Sequence, residues 1–477
     1  MTIPLYFVNF IDNYIFMKCQ IFLPKLVIII IILSFSNQNL SQEKKFFKEM
    51  KPLEKTKAQI KLSEAYQFYS DGNFKNALLD YKDLIVINPS NAKAHFGIAS
   101  CYYKLHNYKK AKYYIELAFE NDPKADQDLY YMMGEIYFRL QELDKAKIYY
   151  EKFISESDSK QKIKGYSLDL KLNQVAYAQK ELLNPHNKVV ISNMGKVLNT
   201  EGPEFAPSIS NDGKYLMFTS RRSDTKGGNI DKNYDHQYFS DIYLSQWDSI
   251  KKEWSKPIND LGKINTEFHD GSLSFKSDNS IIIYRNIYNI TRSGDIFEAT
   301  YSNSGKWSSP KPIFHRNKKL SKKINSSYFE SSASITEDES YIYFVSERPT
   351  GIGQTDIYYV KKTDHSYSEP IHLENNINTP GDEKCVFIHP NGKLLFFTSN
   401  GRKESVGSYD IYYCTGGHEN WSQPINMGCP INTTLEEKTI YVSKDGNTAY
   451  VGGYYKEDSY GDSDLYKIDI SNFNLLK

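Results

Sequence analysis

Cysteine is scarce. Five residues in a chain of 477 are too few for a disulfide-stapled scaffold. Net charge is nearly absent: 59 basic and 58 acidic side chains leave a formal +1. A nucleic-acid-binding chain is ordinarily clearly basic, so nucleic acid is not an expected partner. No apolar run approaches the ~20 residues of a comfortable membrane-spanning helix; the run Leu26–Leu33 is much shorter. The ten histidines include no His-Glu-x-x-His or similar zinc spacing, and no Gly-x-Ser-x-Gly elbow occurs. These absences leave no metal, no cofactor and no catalytic residue to name. What is abundant is tyrosine, at 39, in a chain too long for one ordinary core, so two or more domains are expected.

The N-terminus reads as an export signal. Lys18 and Lys25 precede the apolar run, and small or polar residues follow from Ser34 to Gln42, with cleavage expected after Ser36 or Ser41. Met17 is the better start. Residues 1–42 are thus a signal-peptide region, and the expected location is the periplasm or the outer membrane. The alternative is an uncleaved anchor, which implies peripheral membrane association. Cys19 lies ahead of the apolar run, so cleavage cannot expose it for lipid attachment. Residues 43–56, rich in Lys and Glu, are expected as a solvated linker.

Residues 57–183 repeat with a helix-turn-helix period. Ala77, Ala111 and Ala146 are equivalent, as are Pro89 and Pro123. A small residue precedes an aromatic by three in each unit: Ala65 and Phe68, Ala99 and Tyr102, Gly134 and Tyr137. Tyr81, Ile115 and Tyr150 then close each pair. This pattern resembles the tetratricopeptide repeat. The third unit lacks the closing Pro, and one further helix at 160–183 is expected to cap the open end. The resemblance implies a concave groove that holds a partner segment, with Tyr66, Tyr69, Tyr103, Tyr113, Tyr114, Tyr130 and Tyr131 as candidate lining. By helical spacing alone about half of these tyrosines pack between helices instead.

Asn184-Pro185 breaks the helix. Beyond it a phrase returns five times: Leu198-Asn199-Thr200, Ile264-Asn265-Thr266, Ile324-Asn325-Ser326, Ile377-Asn378-Thr379 and Ile431-Asn432-Thr433. Each is followed by an acidic residue, a short strand, a tight turn such as Asn211-Asp212-Gly213 or Pro390-Asn391-Gly392, a second strand, a loop and an Asp-Ile-Tyr-like phrase. Fourth strands are expected at the aromatic-Ser pairs Trp254-Ser255, Trp307-Ser308, Tyr367-Ser368 and Trp421-Ser422. Short strands at a period near 50 residues indicate one propeller blade per repeat. The fifth blade lacks a fourth strand at its end, so the segment 188–197 is expected to supply it and close the ring. The fold class is therefore an all-α repeat solenoid followed by an all-β five-bladed propeller over 184–477.

The propeller resembles the TolB-type, WD-repeat-like kind of periplasmic proteins. Array plus propeller resembles the front half of OmpA-family envelope proteins of the Bacteroidota, including the PorE-like component of type IX secretion. Those proteins continue into a peptidoglycan-binding domain, whereas this sequence stops after the propeller. The resemblance implies an envelope protein-interaction scaffold.

Two charged sets recur once per blade: Glu204, Asp270, Glu330, Glu383 and Glu437, then Arg222, Arg285, Arg348, Arg402 and Lys456. As concentric rings at one mouth of the channel they would bind a polar ligand or partner. As salt bridges and loop caps they would hold each blade, and repetition in every blade favours that role. The loop 220–240, with Tyr234, breaks the repeat and is the first choice for a contact surface; Gly351–Thr355 departs less. Asp458–Asp464 is rich in oxygen ligands but lacks the downstream Glu of a calcium loop. Cys414 and Cys429 are expected as buried thiols, with a bridge as the alternative. Together these features argue for a non-catalytic adaptor whose groove and propeller face bind envelope proteins. The alternatives are a glycan- or small-ligand-binding propeller and a propeller-borne carbohydrate-active enzyme.

Overall fold

The computed structural model describes residues 51–157, 160–186, 188–232, 235–286, 294–364, 366–374, 376–455 and 459–476. The signal region 1–42, most of the linker, Tyr234, Lys456 and Asp458 lie outside the described residues. Among the described residues eight helices come first: α1 (Pro52–Ser70), α2 (Phe74–Ile87), α3 (Ala92–Lys104), α4 (Tyr108–Asn121), α5 (Leu129–Arg139), α6 (Leu143–Glu156), α7 (Lys160–Gly165) and α8 (Leu168–Leu183). Pro52 opens α1, where its missing N–H costs nothing. The helix therefore takes 52–56 from the expected linker, whose charges form its solvated face. Asn73, Asn91 and Asn107 cap α2, α3 and α4, each accepting from the backbone N–H three residues on. At Gly134 a Cβ would lie 2.5 Å from the Tyr150 ring, so the small residue is what lets α5 and α6 approach. The expected single capping helix is two. Ser167, at φ 51, breaks it between α7 and α8, and α8 buries Leu168, Val175 and Ala178 against the array.

The propeller consists of five antiparallel sheets. Blade one is β2 (Glu204–Ile209), β3 (Tyr215–Ser220), β4 (Asp241–Asp248) and β5 (Glu253–Trp254); blade two is β6 (Asp270–Ser277), β7 (Ser280–Asn286), β8 (Gly294–Thr300) and β9 (Lys311–Pro312). After α9 (Lys318–Ile324), blade three is β10 (Glu330–Ile335), β11 (Tyr341–Ser346), β12 (Asp356–Lys361) and β13 (Ile371–His372). Blade four is β14 (Glu383–Ile388), β15 (Leu394–Ser399), β16 (Asp410–Gly417), β17 (Asn420–Trp421) and β18 (Ile425–Asn426). Blade five, β19 (Glu437–Val442), β20 (Thr448–Gly453) and β21 (Asp464–Asp469), takes its outer strand from β1 (Val190–Asn193), with Val190 opposite Asp469.

The aromatic-Ser pairs are not the outer strands proper. They form the tip of a hairpin with the end of the third strand, Trp254 opposite Trp247 and Trp421 opposite Gly416. A second short stretch, such as β13 or β18, then pairs with the middle of the third strand. The serine explains the break: its hydroxyl oxygen accepts a backbone N–H of the third strand in all four blades, from Gln246, Thr300, Lys361 and Thr415, at 2.9–3.0 Å. A side chain thus substitutes for a ladder carbonyl where the chain swerves.

Candidate protein-interaction surfaces

The asparagine of the recurring phrase is a blade-to-blade clip. Asn378 Oδ1 accepts from the Ile357 N–H at 2.7 Å, and its Nδ2 donates to the Ile357 carbonyl at 2.9 Å. Asn265, Asn325 and Asn432 hold Ile242, Ile296 and Ile411 in the same way. Asn199 holds Leu465, joining the first blade to the last. A carboxamide carries one donor and one acceptor at peptide spacing, so it pairs with a strand edge as another strand would.

The acidic ring is not a presented surface. Glu204, Asp270, Glu330, Glu383 and Glu437 are all fully buried. Glu330 accepts from the Ser326 N–H at 2.9 Å, the Ser326 hydroxyl at 2.6 Å, the Ser346 hydroxyl at 2.7 Å and Arg348 at 3.2 Å. Glu204 repeats this with Thr200, Ser220 and Arg222, Asp270 with Thr266 and Arg285, Glu383 with Thr379 and Ser399, and Glu437 with Thr433. Arg222, Arg285, Arg348 and Arg402 reach back to the carbonyls of Leu198, Ile264, Ile324 and Ile377 while lying over ring faces. Carboxylate and guanidinium thus close the turn of their own repeat, because an unpaired charge there would be desolvated at high cost. Burial pushes the Glu383 carboxyl up to about 7, and pushes Glu204 and Asp270 up against the pull of their arginines.

The loop 220–240 is tied down at its described ends. Arg221 pairs with Asp235 at 2.5 Å and donates to the Tyr238 carbonyl. One constellation here was missed in the sequence because its members are far apart: Ser240 Oγ lies 3.1 Å from His269 Nδ1, and His269 Nε2 lies 3.1 Å from Asp231. It has the members of a hydrolase triad, with the serine hydroxyl turned to a backbone carbonyl. The Ser240 hydroxyl is buried and donates to the Asp270 carbonyl, while His269 Nδ1 takes the Ser240 backbone N–H. A nucleophile needs access and a free base, so this trio pins the loop to blade two. Gly353 and its neighbours pack on the next blade's phrase, where a Cβ would lie 2.0 Å from the Gly381 carbonyl. Asp462 accepts from Tyr454 and Asp464 from the Tyr460 N–H. Among the described residues no cluster of His, Cys, Asp or Glu could hold a metal. Cys101, Cys385, Cys414 and Cys429 are buried free thiols.

The candidate groove residues separate into two groups. Leu62, Tyr66 and Tyr69 follow one stripe of α1, where Tyr66 is 66% exposed and Tyr69 half-buried, edge-on to Phe74. Phe96 of α3 is half-buried as well. Tyr103 instead donates to Glu135 at 2.9 Å, which also takes Tyr150 and, at 2.8 Å, Lys171 of α8. Tyr130 packs between Phe119 of α4 and Tyr149 of α6, with Lys152 over the rings. Tyr131 stacks on Tyr166 at 4.1 Å, and Tyr114 on Tyr102. Tyr103 and Tyr130 therefore serve helix packing, not a free groove.

The other end of the array is occupied by the propeller. Arg139, at the end of α5, donates to the Leu435 carbonyl at 2.9 Å and the Thr434 carbonyl at 3.3 Å, and pairs with Glu436 at 3.4 Å. Thr434 donates back to the Arg139 carbonyl. Leu435 packs with Tyr108 and Tyr454, and His106 stacks on Tyr454 at 4.7 Å. Burial opposes ionisation of Glu436, but Lys438 and Arg139 hold its carboxyl well below the usual range. Gln174 of α8 donates to the Arg402 carbonyl at 3.1 Å, and Val406 and Cys429 belong to the helical core. Two propeller residues thus join the core of the array and a small apolar cluster bridges the joint, so part of each expected binding surface faces the other domain.

The tetratricopeptide repeat family model matches residues 92–124 and 127–159. No curated protein matches the chain. The first tetratricopeptide domain of human RPAP3 is 21% identical, with a TM-score of 0.24 over 27% of this chain and 95% of that one. The Yersinia enterocolitica type III secretion chaperone SycD, solved with a peptide of the translocator YopD, is 17% identical, with a TM-score of 0.23 over 25% and 93%. The Pseudomonas aeruginosa periplasmic gluconolactonase PpgL is 9% identical, with a TM-score of 0.30 over 55% and 70%. A repeat array joined to a propeller is the make-up of a protein-interaction scaffold.

Proposed function

We propose that this protein is a non-catalytic scaffold of the bacterial cell envelope that grips a segment of an envelope protein in the N-terminal half of its helical groove. The observation that carries this reading is the division of the aromatic residues. Tyr103 and Tyr130 are held by Glu135 and by Phe119 and Tyr149, whereas Tyr66 is 66% exposed, with half-buried Leu62 and Tyr69 on the same stripe of α1. A partner side chain laid over this stripe would bury aromatic area, the usual source of interface hot spots. The blade carboxylates support a non-catalytic role, because each is committed to its own turn and no pair is set apart for acid–base work. Export, a periplasmic or outer-membrane setting and a link to type IX secretion rest on the N-terminal pattern and the family resemblance.

The test is crosslinked affinity purification from the native envelope with wild-type protein and the Tyr66→Ala/Tyr69→Ala variant. Deleting the array would uncover the core it shares with the propeller, so point changes are used. Envelope proteins recovered by the wild type and lost by the variant are expected. Equal recovery would remove the groove from the mechanism, and no recovery by either would remove the scaffold role.

A further inference from the structure

The ring closes at a seam unlike its other blade contacts. At the end of β4, Trp247 faces Trp254 of β5, with ring centroids 5.2 Å apart at 64°. The corresponding position is Tyr301 in blade two, Lys362 in blade three and Gly416 in blade four. In blade four the outer hairpin packs on the second strand of the preceding blade, with His418 stacked on Tyr341 at 4.1 Å and Trp421 6.3 Å from Tyr343, both on β11. Blade one has blade five as its neighbour, whose outer strand is the four-residue β1 from the other end of the propeller. Trp254, Met194 and Tyr450 pack there against one apolar cluster that includes Leu198 and Leu216. Trp247 is left half-buried over a cleft of about 340 Å³ walled by Trp247, Trp254, Tyr450 and Met194, with Ser192 and Lys467 at its rim.

We propose that this seam cleft binds a saccharide. Its lining holds two indoles and a phenol, ring types that attract the C–H face of a pyranose ring, together with a hydroxyl and an ammonium for the sugar's own hydroxyls. The exposed Ser192 hydroxyl and Lys467 ammonium give a polyhydroxylated ligand partners that a wholly apolar one would not use, while a purely polar one would gain nothing from two indoles. The volume lies at the small end of ligand clefts, which suits one or two sugar rings. The site is separate from the helical groove and stands or falls independently of it.

The experiment is saturation-transfer NMR on the full chain with cellobiose, maltose and N,N′-diacetylchitobiose as probes. The expected result is transfer to the ring C–H protons of at least one disaccharide. Trp247→Ala should weaken that binding about tenfold, the loss of roughly one stacking contact, while Trp307→Ala, in the outer hairpin of blade two, leaves it unchanged. Should Trp247→Ala melt below the wild type, the decision passes to Lys467→Ala on the exposed face of β21, which is expected to weaken binding severalfold. Absence of transfer to all three sugars, or undiminished binding by a correctly folded seam variant, overturns the proposal.

Discussion

Replacing Arg139 by alanine should uncouple the two domains. Arg139 is 5% exposed, and its guanidinium donates to two backbone carbonyls of the segment Thr434–Leu435 and pairs with Glu436. Hydrogen bonds from a charged donor contribute about 1.5–3 kcal/mol each, and a buried acceptor left without a partner costs about as much again as a neutral bond. The longer contact, at 3.3 Å, counts at the low end. Glu436 keeps Lys438 at 2.8 Å, which spares the variant most of the 3–5 kcal/mol of a stranded buried charge. The coupling between array and propeller should therefore fall by about 3–4 kcal/mol. All four tryptophans lie in the propeller, so indole fluorescence follows the propeller alone, and far-ultraviolet ellipticity follows chiefly the array. In a urea titration the two curves should coincide for the wild type. For Arg139→Ala they should separate, with ellipticity lost first. Coincident curves in the variant, with a free energy within about 1 kcal/mol of wild type, would refute the claim that this residue welds the domains.

Asn378→Asp keeps the size of the clip but removes the donor to the Ile357 and Leu373 carbonyls; it should cost about 2–4 kcal/mol in the fluorescence-monitored transition, and a loss below about 0.5 kcal/mol would mean the clip is idle. The pH dependence has a definite sign. Glu383, with its folded-state value pushed up to about 7, holds a proton that the unfolded chain has released, so its contribution is lost as pH rises through 7. The calorimetric midpoint should accordingly rise between pH 8 and 6.5, and Glu383→Gln should flatten that rise; an unchanged slope in the variant would point to another group. Below that window His95, His106 and His269, all lowered by burial, charge in the unfolded chain first and work against stability. His269→Ala frees the loop from Asp231 and Ser240, so trypsin should cut at Lys226 or Lys232 several-fold faster than in wild type, with mass spectrometry locating the nick.

The periods were legible in the sequence because they are local. Helical spacing places Ala65 and Phe68, or Gly134 and Tyr137, on one face whatever surrounds them. The spacing of short strands and glycine turns sets a blade count that any propeller with those strands must have. The Asn/Thr phrase was visible as a repeat, but not as a clip, since its amide bonds a strand in the preceding blade and Asn199 reaches one 266 residues away. The charged rings were visible too, and their repetition in every blade favoured loop caps over a presented face, but only burial decides between the two: a carboxylate looks the same in sequence whether it meets water or Thr379 and Ser399. The tyrosines divided for the same reason. Periodicity assigns a residue to a helix face and says nothing of what covers that face. The fifth blade's missing strand already pointed to segment 188–197, whose register against β21 only the fold gives. The joint between Arg139 and Leu435, 296 residues apart, was decided by tertiary packing alone, because nothing in either segment encodes the distance between them.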